Sequence, residues 1–422
     1  MIGLDALLLF VLVLKTVSLF TLRTSAYLFA LPDNYLVFSI VPLLVLAGYV
    51  AVSALRPAQR SWNVRFGAVV LLGVFLVGSL FGLQLFARRN SLPYLFIHDG
   101  AVQAEDAIAA LRQGQNPYTI DYRERTFGAF PDGFSEATRP NPAWTHHIYL
   151  PLQLLLGLPI AIVSEVLWDW FDIRLLYALS FALLIICTAL LSKNLERRLL
   201  VLILGLFNPL FLPFFAAGFN DVFFLGWIAL GALLLQRRRF TLAGLALGFA
   251  FASKQSAWFL LPFYAAYVYA TAGGPRRWWV AARRLLPAVL VTAVVIAPFF
   301  AWSPADFIDD TIRYGTGSAE LSYPISGFGL SQLMLASGVI RSSWDYYPFW
   351  IFQVIVGLPL LAVLIRRQRR DPSVSQMLTS FGLLAFALWF VSRFFNDSYV
   401  GVLSVVFLLA YAAQEPAREN NV

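Results

Sequence analysis

Residues 199–239 read LLVLILGLFNPLFLPFFAAGFNDVFFLGWIALGALLLQRRR, two apolar runs broken at Gly218-Phe219-Asn220-Asp221 and closed by Arg237, Arg238 and Arg239. Runs of roughly 16–22 such residues suit helices that cross a hydrocarbon core about 30 Å thick. They recur along the whole chain, without the ten-residue alternation of a membrane barrel. The composition agrees: of 422 residues 59% are hydrophobic and 13% charged, with 38 Phe, 17 Tyr and 12 Trp. A soluble domain carries about 25% charged residues, so this chain cannot cover itself with a polar surface. It reads as an all-α, polytopic helical membrane protein. A soluble enzyme, a disordered tail and a disulfide scaffold are excluded, the last because Cys187 is the only cysteine.

The formal charge of +8 does not indicate nucleic acid. Of the 31 Lys and Arg, 17 fall in five clusters between apolar runs: Arg56, Arg60 and Arg65; Lys193, Arg197 and Arg198; Arg237 to Arg239; Arg276, Arg277, Arg283 and Arg284; and Arg366, Arg367, Arg369 and Arg370. Under the positive-inside rule these mark cytoplasmic loops. That placement gives twelve spans with both ends inside, near 5 to 22, 35 to 55, 66 to 87, 175 to 192, 199 to 216, 222 to 236, 240 to 253, 256 to 271, 285 to 301, 347 to 365, 374 to 392 and 397 to 413. The first is read as an uncleaved span. The apolar stretch 148 to 163, with Pro151 and Pro159, would invert every later span if it crossed, and is read as re-entrant or interfacial.

Acidic residues play no part in that placement, yet 18 of the 23 Asp and Glu fall outside. Ten lie between 88 and 174 and five between 302 and 346; the others are Asp33, Asp221 and Asp397. The expected organisation is one integral membrane domain over 1–422, with an outer catalytic loop region at 88–174 and a second outer loop at 302–346. Polar chemistry concentrates on that outer face.

Residues 97–118, IHDGAVQAEDAIAALRQGQNPY, read as an Asp that caps a helix, an amphipathic run, a terminating Gly114 and a turn at Asn116-Pro117. Ala101, Ala104, Ile108 and Leu111 share one face; Asp99 and Asp106 share the opposite one. Such a helix can lie on the membrane and hold carboxylates away from it. The plainer alternative makes Asp99 a cap and Asp106 a solvated charge.

The stretch from Asp99 through Gly114-Gln115-Asn116-Pro117-Tyr118 resembles the first outer loop of the GT-C superfamily, in particular family 87 of polyprenyl-phosphate-sugar-dependent, mannosyltransferase-like glycosyltransferases. Gly244-Leu245-Ala246-Leu247-Gly248, then Ser253-Lys254-Gln255 and Pro262, is similar to that superfamily's paired short helices with a lysine at their outer turn. Tyr149-Leu150-Pro151-Leu152 resembles its entry to a segment lying along the membrane. The resemblance implies an acidic catalytic base early in the loop, which is Asp99 or, second, Asp106. Two features depart from the pattern. The loop here follows the third span rather than the first, and the adjacent acidic pair is Glu105-Asp106, whereas Asp99 precedes Gly100.

Chemically, a sugar on a lipid phosphate already has a good leaving group, so the reaction needs one base for the acceptor hydroxyl and cations for the departing phosphate. Lys254 is the best cation candidate, with Arg393 and Arg313; a snorkelling lysine and a structural Arg393–Asp397 pair are the alternatives. Glu105, Asn116, Tyr118, His147, Asp221 and Tyr323 are candidate substrate contacts, although Asp221 also suits a helix start. Lys15, well inside the first span, is expected to face the bundle and a structural partner. A metal at His98, His146 and His147 finds no recognised ligand spacing, so no cofactor is expected. Tryptophans such as Trp168, Trp278, Trp279 and Trp302 form an aromatic belt.

The expected function is an inverting hexosyltransferase, of mannosyltransferase type, in the plasma membrane with its site facing outside. Its partners are a polyprenyl-phosphate-linked donor, a glycolipid or cell-envelope glycan acceptor and membrane lipids, with no nucleic acid. A lipid or solute transporter or flippase is the alternative, disfavoured because charges near the midplane are nearly absent. A polymerase or ligase of lipid-linked glycans would share the site logic with a larger donor.

Overall fold

The computed structural model describes residues 3–19, 36–55, 58–129 and 141–415; Asp33, Arg56, Asp132 and Glu136 lie outside them. Each expected apolar run has a helix as its counterpart. The chain opens with α1 (Leu4–Leu19), α2 (Leu36–Leu55) and α3 (Ala58–Leu72), which continues through a π turn (Gly73–Val77) into α4 (Gly78–Arg89). Then come α5 (Asp99–Arg112), α6 (Leu152–Trp168), α7 (Arg174–Leu191), α8 (Leu195–Leu206), α9 (Leu212–Ala217), α10 (Asp221–Gln236) and α11 (Phe240–Phe251). A 3-10 segment (Gln255–Leu260) leads into α12 (Leu261–Ala270), followed by α13 (Arg277–Trp302), α14 (Pro304–Ile308), a second π turn (Asp309–Arg313), α15 (Tyr314–Thr316) and α16 (Leu330–Ala336). The last helices are α17 (Trp350–Arg370), α18 (Val374–Phe390) and α19 (Asp397–Ala412). The all-α reading needs one small amendment: β1 (Ser326–Gly327) pairs in parallel with β2 (Phe394–Phe395) and ties the second long loop to the end of α18.

Among the described residues, four helical stretches are long and apolar enough to cross a membrane: Ser61–Arg89, Arg174–Leu191, Arg277–Trp302 and Trp350–Arg370. Several shorter apolar helices pack among them. Outward faces of α13 and α17 expose Val289, Val294, Ile355 and Leu358, as a hydrocarbon solvent requires. At the centre α10 is buried nearly all round. Close approach comes from glycines: a Cβ on Gly226 would lie 2.8 Å from Ser180 O on α7, and one on Gly248 would lie 2.9 Å from Ala288 O on α13. The Gly244–Gly248 spacing is therefore a small-residue seam between α11 and α13.

Basic residues gather at one end. Arg277 and Arg369, from α13 and α17, sit 5.2 and 5.5 Å from the Tyr269 ring. Lys193 reaches Glu415 at 3.5 Å, and Arg197 donates to Gln414 O beside Tyr411. Arg65 binds Asp5 at 2.9 Å, joining the starts of α1 and α3. Lys15 does not face the bundle: α1 buries Ala6, Leu9 and Val13, and Lys15 is exposed. The hydrophobic stripe, not the depth of the lysine, sets the rotation of α1.

α6 begins and ends near the opposite, cavity-bearing end. Its Leu152 N–H donates to Ala252 O at 3.3 Å, while Glu165 meets Arg112 at 2.6 Å and Trp168 O accepts from Arg89 at 3.0 Å. Its outer side exposes Ile162, Val163, Val166 and Leu167. This is the geometry of a helix lying across the end of the bundle.

α5 is buried on more sides than its apolar stripe predicts. Glu105 receives Arg88 at 2.5 Å, and Asp172 receives Arg88 at 2.6 Å and Arg174 at 2.8 Å. Glu105 also accepts Ile173 N–H at 2.9 Å, and Arg174 donates to Phe96 O at 2.8 Å. Two cations and two anions thus neutralise one another and lock α4, α5 and α7 together. Burial disfavours ionised Asp172, but Arg174 and Arg88 hold its carboxyl well below the usual range. The brace fixes where α5 starts, and so where Asp99 stands.

Candidate active site

At the α5 start the helix cap is His98, not Asp99. His98 Nδ1 accepts Gly100 N–H at 3.2 Å, and Asp99 is the first helical residue. Asp99 Oδ1 accepts the same N–H at 2.6 Å and lies 3.0 Å from His98 Nε2. Among the described residues nothing hydrogen-bonds Oδ2, and the side chain is 27% exposed. A Cβ on Gly100 would lie 2.1 Å from the Tyr149 hydroxyl, so only glycine fits after Asp99. Gly114 ends the helix at φ +72°, and Asn116 Oδ1 accepts Tyr118 N–H at 3.1 Å to make the next turn.

Asp99 lines a cavity of about 390 Å³ at this end of the bundle. Its walls come from the α5 start, residues 141–149, the α10 start, the turn before the 3-10 segment, the second π turn and residues 389–399. α10, α17 and α19 each place a residue here at one end and approach the basic clusters at the other.

Lys254 and Asp221 line the same cavity, 33 positions apart in sequence but 2.5 Å apart as Nζ and Oδ1. Lys254 also donates to Asn220 Oδ1 at 3.0 Å. An ammonium has three N–H groups, and these bonds use two of them. His98 adjoins Asp99 and feels the charges of Lys254 and Asp221. Burial makes its imidazolium costly and pushes its pKa down, with Asp99 opposing and Lys254 adding to the shift. Aromatic rings supply the remaining walls, among them Tyr149, Tyr323, Trp258 and Trp389. Such rings with a few convergent polar groups suit a sugar.

Of the sequence candidates, Asp99, Lys254, Asp221 and Tyr323 share this cavity. The others do not line it. Asp106 is buried, and accepts Phe127 N–H at 2.7 Å. Burial raises its pKa, opposed by the Phe127 and Thr126 bonds. Glu105 belongs to the arginine brace. Asn116 and Tyr118 shape the turn, Tyr118 donating to Tyr149 O at 2.8 Å. His147 is fully buried among aromatic rings, its N–H donating to Asp310 Oδ2 at 2.8 Å. Burial alone holds its imidazole at about 3.

Arg393 does not pair with Asp397. It donates to the carbonyls of Tyr323 at 2.5 Å, Asp345 at 2.8 Å and Ser343 at 3.1 Å, so it clamps the second long loop. Arg313 is 57% exposed and lies 3.7 Å from Asp309. Among the described residues no three His, Cys, Asp or Glu form a metal-holding group. Beyond those candidates, His98, His146, Tyr149 and Gln103 also line the cavity, the two histidines having been weighed only as metal ligands. For His98 the available signal was its place directly before the helix start.

Residues 107–270 match the MptA_B family model, described as alpha-(1->6)-mannopyranosyltransferase, N-terminal domain. The matched stretch is less than half of the chain. It contains Tyr149, Asp221 and Lys254, while Asp99 and Tyr323 fall outside it. The similarity supports a mannosyltransferase-like membrane glycosyltransferase, which implies a sugar donor and an acceptor glycan. No curated protein matches the chain.

Proposed function

We propose that the protein is an inverting GT-C glycosyltransferase of the family 87 type. In this reading it moves a hexose, mannose first among candidates, from a polyprenyl phosphate to a glycolipid or cell-envelope glycan. About twelve helices cross the plasma membrane, and the cavity opens outside. The observation that carries the reading is the pairing within one cavity of Asp99, whose Oδ2 is uncommitted, with Lys254, which keeps one N–H uncommitted.

Asp99 Oδ2 takes the proton of the acceptor hydroxyl as its oxygen bonds to the sugar C1. The bond from C1 to the phosphate oxygen breaks on the opposite face, and the electron pair leaves with the lipid phosphate. The third N–H of Lys254 meets that growing charge, while Asp221 holds the ammonium in place. The orientation is supported by the gathering of basic residues at the other end. α6, α13 and α17 give the donor's lipid tail an apolar surround.

The test uses protein in nanodiscs, mannose labelled on polyprenyl phosphate or on a nucleotide, and a membrane lipid extract as acceptor. Transfer from the lipid-linked donor is expected. Transfer from the nucleotide donor alone, or labelled solute moved across proteoliposomes without covalent transfer, contradicts the reading.

A further inference from the structure

We infer that Asn220 and Gln153 are positioning residues: together they fix the direction of the Lys254 ammonium, so that its third N–H meets the charge growing on the departing phosphate. This rests on the reading of Lys254 as the phosphate cation.

The two amides have one consistent arrangement. Lys254 Nζ can only donate, and it lies 3.0 Å from Asn220 Oδ1, so the Asn220 carbonyl faces the lysine. Its Nδ2 end then faces Gln153, whose Oε1 accepts it at 3.1 Å. The Tyr177 hydroxyl reaches the same Oε1 at 3.5 Å. Turning the Gln153 amide round would set its N–H groups against those of Asn220. Gln153 is fully buried, and its own Nε2 has no partner among the described residues. A buried amide nitrogen left without a partner is destabilising, so the side chain is held there by what its oxygen does.

Asn220 forgoes a second role. It directly precedes α10, where an asparagine side chain ordinarily accepts an N–H of the first helical turn, yet it makes no such bond. Its oxygen is turned to Lys254 instead. The turn that carries Lys254 is anchored on both flanks. Leu152 N–H, next to Gln153, donates to Ala252 O at 3.3 Å, and Gln255 Nε2 donates to Ile148 O at 2.9 Å and Thr311 O at 2.8 Å. With the backbone held, the two acceptors Asn220 Oδ1 and Asp221 Oδ1 decide where the remaining N–H of the ammonium points. Asp221 supplies charge and Asn220 supplies direction; without Asn220 the ion pair persists but the ammonium can swing about it. A donor already aimed at developing charge needs no reorganisation during reaction, and misplacement by 1 Å can cost about a hundredfold.

Serine at position 220 separates this role from helix capping. Asn220→Ser keeps a hydroxyl that can accept an N–H of α10 but is too short to bridge Lys254 and Gln153. It is measured in nanodiscs with polyprenyl-phosphate mannose beside Gln153→Met, the double variant and Lys254→Met, reading kcat, donor KM and melting temperature. For Asn220→Ser, kcat is expected to fall about tenfold to a hundredfold with donor KM and melting temperature near wild type. Gln153→Met frees the Asn220 amide and is expected to lower kcat by a smaller factor. The double variant should match Asn220→Ser, because both residues act through one contact. If Lys254→Met is inactive while Asn220→Ser keeps the wild-type kcat, or loses melting temperature alone, Asn220 serves only the helix and the inference falls. Losses that multiply in the double variant also contradict it. If Lys254→Met retains transfer, the reading of the phosphate cation falls and the inference with it.

Discussion

Lys254 Nζ lies 2.5 Å from Asp221 Oδ1 in the cavity wall, with side-chain exposures of 14% and 5%. The pair has separable structural and chemical roles. Lys254→Met leaves a nearly buried carboxylate without its cation, which costs about 3 kcal/mol, seen as a lower melting temperature. Adding Asp221→Asn to Lys254→Met removes the stranded charge and should restore most of that stability. Sugar transfer should stay lost in both, since the departing phosphate has no cation; recovery of transfer in the double variant would count against the assignment.

Glu105 has the opposite profile. Its partner Arg88 also holds Asp172, so Glu105→Gln leaves excess positive charge in a buried cluster and should lower stability by about 3–5 kcal/mol. Folded protein recovered at low temperature should keep the wild-type KM for donor. A large rise in KM without loss of stability would place Glu105 at the substrate instead.

Asp310 gives a pH dependence with a definite sign. Burial, with Asp309 and Asp306 nearby, pushes its carboxyl up to about 8, against the opposing bond from His147 N–H. The folded chain therefore keeps a proton that the unfolded chain releases above the ordinary value of 3.8. This contribution to stability is full below that value and falls with rising pH until about 8, where it levels off. Melting temperatures taken across that window should show the decline, and Asp310→Asn should flatten it. An unchanged slope in the variant would assign the dependence to other groups.

Arg393 is read as a clamp, so Arg393→Met should loosen the loop that contains Tyr323, Ser343 and Asp345. Amide exchange in residues 323–345 should rise and melting temperature should fall by the equivalent of about 1.5–3 kcal/mol. Donor KM should change little beside kcat. A selective rise in KM with unchanged exchange would return Arg393 to the donor phosphate.

The helices were legible because runs of apolar residues closed by arginines leave a chain in hydrocarbon few other choices. The cavity was legible in part. Asp99 drew notice as the start of an amphipathic helix in the first outer loop, Tyr323 as part of the second outer loop, and Asp221 and Lys254 at expected span ends, but sequence did not pair Lys254 with Asp221. Glu105, Asp106 and Arg393 do not line the cavity. Their partners are the Arg88 side chain with Ile173 N–H, the Phe127 backbone and a row of carbonyls at 323–345, and the backbone partners leave no trace in composition or periodicity. A stripe of Ala101, Ala104, Ile108 and Leu111 indicates one buried face of α5; it cannot reveal that residues 122–129 cover another.

The central claim is that Asp99 is the base of a sugar transfer in this cavity. It is tested most directly by transfer of labelled mannose from polyprenyl phosphate, comparing wild type with Asp99→Asn at equal melting temperature. The amide keeps an oxygen for Gly100 N–H and cannot take the acceptor's proton, so the rate should fall by about a hundredfold to ten-thousandfold. Transfer by Asp99→Asn at the wild-type rate would contradict the account.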